Sequence, residues 1–164
     1  PKEYLMSYDY FMKNEDVLYV SEHRGSYSNK DELPDFISDD LDIILFPISI
    51  TRFEAQKAKI ELEKQGYKIG IANIVWIKPF VMKKEWEKAI ISSKFGGIVL
   101  DDDYSQGVAT NLAYEMMKKT EKKIDVMGLK NRSAGFSKTT DNLPLNYLDI
   151  VEKVKELVET NKKS

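Results

Sequence analysis

A chain of 164 residues with 42% hydrophobic and 32% charged residues is long enough for one ordinary domain with its own core and too short for two full ones. A formal net charge of -2 supplies no field to draw in phosphate backbones, which argues against nucleic-acid binding, and no apolar run reaches the roughly 20 residues that cross a bilayer. Zero cysteines and a single histidine, His23, exclude disulfides, thiolate nucleophiles and zinc sites of the Cys or poly-His type. Residues 1–15 carry no signal-peptide pattern, so a cytoplasmic protein with neither membrane nor nucleic acid as partner is expected. The chain begins at Pro1 and reads as helix almost at once, as though cut from something longer.

In chain order, Leu5, Met6, Tyr10 and Phe11 fall near helical spacing over residues 3–13, and Asn14 can end that helix. "DVLYVSE", residues 16–22, reads as a short buried strand. Residues 23–40 carry Gly25, Pro34 and several Ser and Asp, and read as a connection of linker length. From residue 41 strands and helices alternate. "LDIILFPIS" is a strand, and Thr51 can cap a helix over 52–66 that turns Phe53, Ala58, Ile60 and Leu62 inward and has Gly66 at the C′ position. Residues 67–77 form the next strand, stopped by Lys78-Pro79 because proline cannot continue a central ladder.

Residues 83–94 then read as a helix with Trp86, Ile90 and Ile91 inward, and 96–103 as a strand. Residues 107–119 make a helix with Val108, Leu112, Ala113 and Met116 or Met117 inward, 123–129 a strand, and 146–163 a closing amphipathic helix after a Gly- and Ser-bearing loop. Near-continuous apolar strands alternating with helices predict a three-layer α/β fold, an open and mostly parallel sheet with helices on both faces.

Ligands of open α/β sheets sit beyond the carboxyl ends of the strands, and four segments there bear weighing. "DDDYSQG" (101–107) places three aspartates at a strand end before a helix; a hard cation could use two of them, but acids at a helix N-terminus also serve capping and solvation, and that reading is preferred. Lys78-Pro79 with the acidic run is similar to the lysine and acids of phosphorelay receiver domains, yet its order along the chain is wrong for them. His23 could act as a general base beside Glu22, but strand neighbours point to opposite faces and no nucleophile is tied to it by spacing. "GLKNRSAGF" (128–136), with Lys130 and Arg132 between Gly128 and Gly135, could meet an anion or be a plain turn. Neither a Walker A pattern nor G-x-G-x-x-G occurs.

The order of these segments, "DVLYVSEHRGSY", "ITRFEAQKAKIELEKQGYKIGIANIVWIKPF", "AIISSKFGGIVLDDDYSQGVATNLAYEMM" and "VMGLKNRSAGF", resembles the C-terminal part of transketolase-like thiamine diphosphate enzymes, closest to the beta-type subunit of the first component of 2-oxo acid dehydrogenase complexes. The resemblance covers roughly residues 16–158. It implies that residues 1–22 are the remnant of a preceding pyrimidine-binding domain, 23–40 the linker, and 41–164 the C-terminal domain. The "YSQG" after the acidic strand end departs from the family's glycine-rich stretch, and leaves open the choice between a transketolase transferase and a 2-oxo acid dehydrogenase oxidoreductase.

For function the resemblance implies a non-catalytic assembly domain. Its family binds thiamine diphosphate and magnesium through a Gly-Asp-Gly motif, which is absent here, and through a glutamate that would lie upstream of Pro1. No catalytic, cofactor-binding or metal-binding residue is therefore assigned to this chain; the cofactor and magnesium belong to the full-length enzyme. His23, Arg24, Lys78, Asp102 and Arg132 are the interface candidates. The partners implied are the upstream catalytic domains or a partner subunit, in a homodimer. A free-standing α/β binding or assembly module is the alternative.

Overall fold

The computed structural model of the chain describes residues 2–133, 135 and 143–162. Its centre is strand β1 (Ile43–Pro47), in which every residue is buried, as an interior parallel strand covered on both faces must be. Around it stand β2 (Ile69–Ile71), β3 (Gly97–Tyr104) and β4 (Ile124–Leu129), in the spatial order β2-β1-β3-β4 and all parallel. Leu45 pairs with Ile71 on one side and Ile98 on the other, and Val99 pairs with Val126.

Alternation along the strands divides the core in two. Ile44, Phe46, Val99 and Ala72 face helices α3 (Lys84–Ser92) and α4 (Val108–Thr120), whereas Ile43, Leu45, Ile98 and Leu100 face α2 (Thr51–Lys64) and α5 (Tyr147–Lys162). The connection β1-α2-β2 steps to one side and β3-α4-β4 to the other. Because parallel crossovers are right-handed, steps in opposite directions place α2 and α4 on opposite faces. The expected three-layer α/β sandwich is thus observed.

Local signals behave as physics dictates. Gly66 has φ +90, the Gly66 N–H donates to Glu63 and the Tyr67 N–H to Leu62, which is the double hydrogen bond of a Schellman stop at the expected C′ glycine. Thr51 is not the cap. Ile50 holds that place, and the buried Thr51 hydroxyl instead lies 2.6 Å from the Ile48 carbonyl and 3.0 Å from that of Leu100, stitching the end of β1 to β3.

Three inward assignments fail by rotation about a helix. In α2 the buried set is Thr51, Ala55, Ala58 and Leu62, and Ile60, about 200° round from Ala58, is exposed. Ile91 and Val108 are exposed in the same way, while Trp86, Ile90, Leu112, Ala113 and Met116 are buried. The strand expected over 67–77 is shorter. Beyond Ile71 it continues only as the Ala72 and Ile74 N–H groups donating to Leu45 and Pro47, because Asn73 is taken by another segment.

Residues 16–22 are not a strand. Val17 and Tyr19 are 96% and 88% exposed, and no described segment lies beside them to share a ladder, so their β-forming composition has no sheet to join. Before them, α1 (Lys2–Lys13) forms as expected and ends where Asn14 donates its side-chain amide to the Tyr10 carbonyl at 2.7 Å. Residues 134 and 136 of the 128–136 loop lie outside the described residues. Among the described residues no helix is long and apolar enough to cross a membrane.

Candidate functional site

The chain leaves β1 toward β2 on one side and later enters β3 on the other, so the topological switch point lies between the carboxyl ends of β1 and β3, where open α/β sheets place their ligands. Ser49 stands there with φ 55, an uncommon conformation for a non-glycine residue. Its hydroxyl donates to Asp102 Oδ2 at 2.8 Å across the gap between the two strand ends. Asp103 Oδ1 accepts the Tyr104 N–H, and Asp101 Oδ1 accepts the Asp103 N–H.

The acidic run is therefore folded onto its own backbone and onto Ser49; it does not cap α4, whose N-cap is Gly107 and whose first turn holds no acid, so the capping part of the expectation is not met. Asp101 is buried. That burial pushes its carboxyl above the usual range against the pull of the Asp103 N–H, and the neighbouring charges of Asp102 and Asp103 add to the rise. Among the described residues no group of three or more acids and histidines is placed to hold a metal ion.

A folded-state pKa above the unfolded one means a stability contribution that is fully present below about pH 4 and lost as the pH rises through the folded value. Asp101→Asn, which keeps an acceptor for the Asp103 N–H, should accordingly melt above the wild type at pH 7, with the gap closing below about pH 4. Melting curves across pH check this; a gap of constant size would contradict the assignment.

The other interface candidates gather round the same carboxyl edge without meeting in one cluster. His23 caps its own turn: its Nδ1 accepts the Gly25 N–H at 3.0 Å and opens the single-turn 3₁₀ helix Arg24–Ser26. A Cβ added at Gly25 would come within 3.3 Å of Ile50 Cδ1, which places this turn beside the end of β1. Arg24 is exposed. Lys78 is exposed in the connection beyond β2, and Arg132 is held near the end of β3 because the Tyr104 hydroxyl donates to its carbonyl at 3.1 Å. No nucleophile lies hydrogen-bonded to the His23 imidazole among the described residues; the Ser26 hydroxyl donates to the His23 main-chain carbonyl instead.

Sequence reasoning missed the strongest polar assembly of the edge. Arg52, at the start of α2, has a side chain only 12% exposed and donates through Nη1 and Nη2 to both carboxylate oxygens of Glu3 in α1, at 2.6 and 2.7 Å. Its Nε donates to Asn73 Oδ1 and Nη2 also to the Leu33 carbonyl. Asn73 in turn donates its N–H to Asp35 and its side-chain amide to the Leu33 and Pro34 carbonyls. Asp35 further accepts from Lys83 Nζ at 2.9 Å and Trp86 Nε1 at 3.0 Å. Burial opposes its ionisation, but the Asn73 N–H, the Lys83 ammonium and the Trp86 indole outweigh that and hold the carboxyl below its usual range. These partners stand 19 to 51 residues apart, so no spacing could have announced them.

Two surface depressions, of about 330 and 100 Å³, lie away from this edge, at the amino-terminal ends of β2 and of β3 and β4. The carboxyl edge itself offers a polar brace and exposed apolar residues: Leu5, Tyr8 and Met12 on α1, Val17 and Tyr19 after it, and Val81 beyond β2.

No protein-family model and no curated protein sequence matches the chain. Among solved structures it is similar to a split-gene transketolase described as an inactive beta4 tetramer, with a TM-score of 0.60 at 13% identity over 72% of this chain and 38% of that one. It is also similar to a 2-oxoglutarate:ferredoxin oxidoreductase from Magnetococcus marinus with 2-oxoglutarate, coenzyme A and succinyl-CoA bound, with a TM-score of 0.55 at 18% identity over 74% of this chain and 18% of that one. The chain thus matches well under half the length of either. At these identities the likeness establishes the fold, which is that of a transketolase C-terminal-like α/β domain.

Proposed function

We propose that the chain is an assembly domain of a thiamine diphosphate-dependent enzyme of the transketolase or 2-oxo acid dehydrogenase type, cytoplasmic, and non-catalytic by itself. It joins upstream catalytic domains, or a partner subunit, in a homodimer. The observation that carries this reading is the outer face of α1. Leu5, Tyr8 and Met12 recur at helical spacing and are 68%, 59% and 78% exposed, on a helix that buries none of its residues. A helix apolar on its solvent side as well as its docked side is built to be covered. The fold likeness to a transketolase and to an oxidoreductase acting on a 2-oxo acid supports the enzyme class.

Among the described residues the acidic run is a poor seat for the cofactor's metal. A diphosphate with magnesium asks for free carboxylates on the metal and N–H groups or cations on the phosphates, whereas one oxygen each of Asp102 and Asp103 is engaged by Ser49 and Tyr104, and burial disfavours ionisation of Asp101. No catalytic step is routed through this chain.

The test has two arms. Calorimetric titration of the chain with thiamine diphosphate and magnesium should give no saturable heat; stoichiometric micromolar binding overturns the non-catalytic reading. In sedimentation up to about 100 μM the wild type should form a dimer that Leu5→Asp with Met12→Asp breaks. Surface substitutions of this kind alter stability by only about 0.5 kcal/mol, so loss of the dimer with unchanged melting reports the interface. A monomeric wild type removes the homodimer from the proposal.

A further inference from the structure

Apolar burial does not explain how α1 stays in place. A helix of 12 residues is too short to persist in isolation, and its apolar contact with the domain is an edge-to-face meeting of Tyr10 with Trp76, ring centroids 5.1 Å apart. What fixes it is polar. Four donor bonds from Arg52 reach three separate elements: two go to Glu3, one to Asn73 and one to the Leu33 carbonyl. The last two aim the guanidinium independently of α1, and they are themselves fixed because Asn73 is held by Leu33, Pro34 and Asp35.

Residues 33–36 form a strap laid over the end of β2. Besides the Asp35 contacts, Phe36 and Ile71 exchange both backbone hydrogen bonds, at 2.7 and 2.9 Å, as an antiparallel bridge. The strap therefore has its own anchors on β2 and α3, none of which involves α1. By contrast, among the described residues α1 is tied to the rest of the chain by one forked ion pair, a Lys2 N–H donated to Glu32, and the Tyr10–Trp76 contact.

We propose that this is an ordered two-stage latch: Asp35 docks the strap, the docked strap presents Arg52 as a pre-aimed fork, and Glu3 of α1 closes onto it, so that α1 can leave and return as a unit while the strap stays. Arg52 and Asp35 are positioning residues for the α1 face, and the segment between α1 and the sheet is a jointed support rather than a slack tether. The fork geometry matters because a planar guanidinium binding both carboxylate oxygens fixes direction as well as distance. The inference holds whether or not the outer face of α1 meets the partner proposed above.

Hydrogen exchange separates the stages. In the wild type, the α1 amides and the Phe36 N–H should both be protected. Glu3→Gln, on a side chain 35% exposed, should speed exchange across α1 about tenfold while leaving Phe36 unchanged, as expected when one cooperative unit opens by itself. Asp35→Asn, which sets an amide against Lys83 and Trp86, should speed Phe36 and α1 together. Arg52→Lys should speed exchange across α1 at least as much as Glu3→Gln does, since a point charge cannot replace the fork and the bonds to Asn73 and the Leu33 carbonyl are disturbed with it. Three results each overturn the latch: an unprotected α1 in the wild type, α1 protection unchanged in Glu3→Gln, or equal acceleration of Phe36 and α1 in that variant.

Discussion

Trp86→Ala is expected to destabilise the domain by about 3–5 kcal/mol, the range for removing a large buried aromatic side chain. Trp86 is 3% exposed and meets Phe46 edge to face at 6.0 Å, in the layer between the sheet and α3. Phe46 belongs to the central strand, so the cavity opens against β1, where the structure has least freedom to collapse. A second loss adds to the first. The indole N–H is one of the donors that keep the partly buried Asp35 ionised, and its removal weakens the strap as well as the core.

Trp86→Phe separates the two effects. It keeps most of the packing and removes the N–H, and should cost about 1–2 kcal/mol. For a chain of this size a loss of 3–5 kcal/mol lowers Tm by roughly 6–20 °C. Urea unfolding of both variants against the wild type checks the pair of values. A Trp86→Ala cost within about 1 kcal/mol of zero would mean that the site relaxes freely, contrary to its place against the central strand.

Local chemistry was readable in the sequence to different depths. The succession of strands and helices from residue 41 was legible because each signal is local: an unbroken apolar run in Ile43–Phe46, the stop at Gly66, the i, i+4 spacing of Trp86 and Ile90. Residues at the rim of an amphipathic face were less so. Ile60 and Ile91 are apolar by type, but their angle about the helix decides their exposure, and a single hydrophobic residue off the main stripe gives no warning of that. Thr51 had the composition of a cap and went to a tertiary partner instead, the Leu100 carbonyl, which only the juxtaposition of β1 and β3 creates.

The carboxyl edge was legible as a place and not as a mechanism. The rule for open α/β sheets pointed to Asp102 and Lys78 at strand ends, and Asp102 does sit at the switch point, bonded to Ser49. The Arg52, Asn73, Asp35 and Glu3 network was invisible, since its members come from four segments that share no motif and look individually like ordinary surface residues. The segment 16–22 failed for the opposite reason. Its composition suits a strand, but a strand is a property of a pair, and nothing described in this chain pairs with it.

Gly96→Ala should cost about 3 kcal/mol or more, for two reasons that a second glycine lets one separate. Gly96 has φ +75, where any side chain is strained by about 1–2 kcal/mol. A Cβ there would also lie 2.0 Å from the Lys123 carbonyl oxygen, far inside van der Waals contact and against backbone that cannot swing away. That carbonyl accepts the Gly97 N–H at 3.2 Å and starts the β3–β4 register at Gly97 and Ile124. Moving it disturbs the entry of the whole outer strand. Gly66, with φ +90 and nothing within 4 Å of an added Cβ, carries the conformational cost alone. Gly66→Ala should therefore lose only about 1–2 kcal/mol, and the difference between the two variants measures the close approach of β4 to the α3–β3 turn. If the two losses are equal, Lys123 yields without cost and the register of β4 is not set at this turn. If Gly96→Ala loses the larger amount, β4, and with it the 129–132 segment that brings Arg132 to the carboxyl edge, is positioned from the opposite end of the sheet.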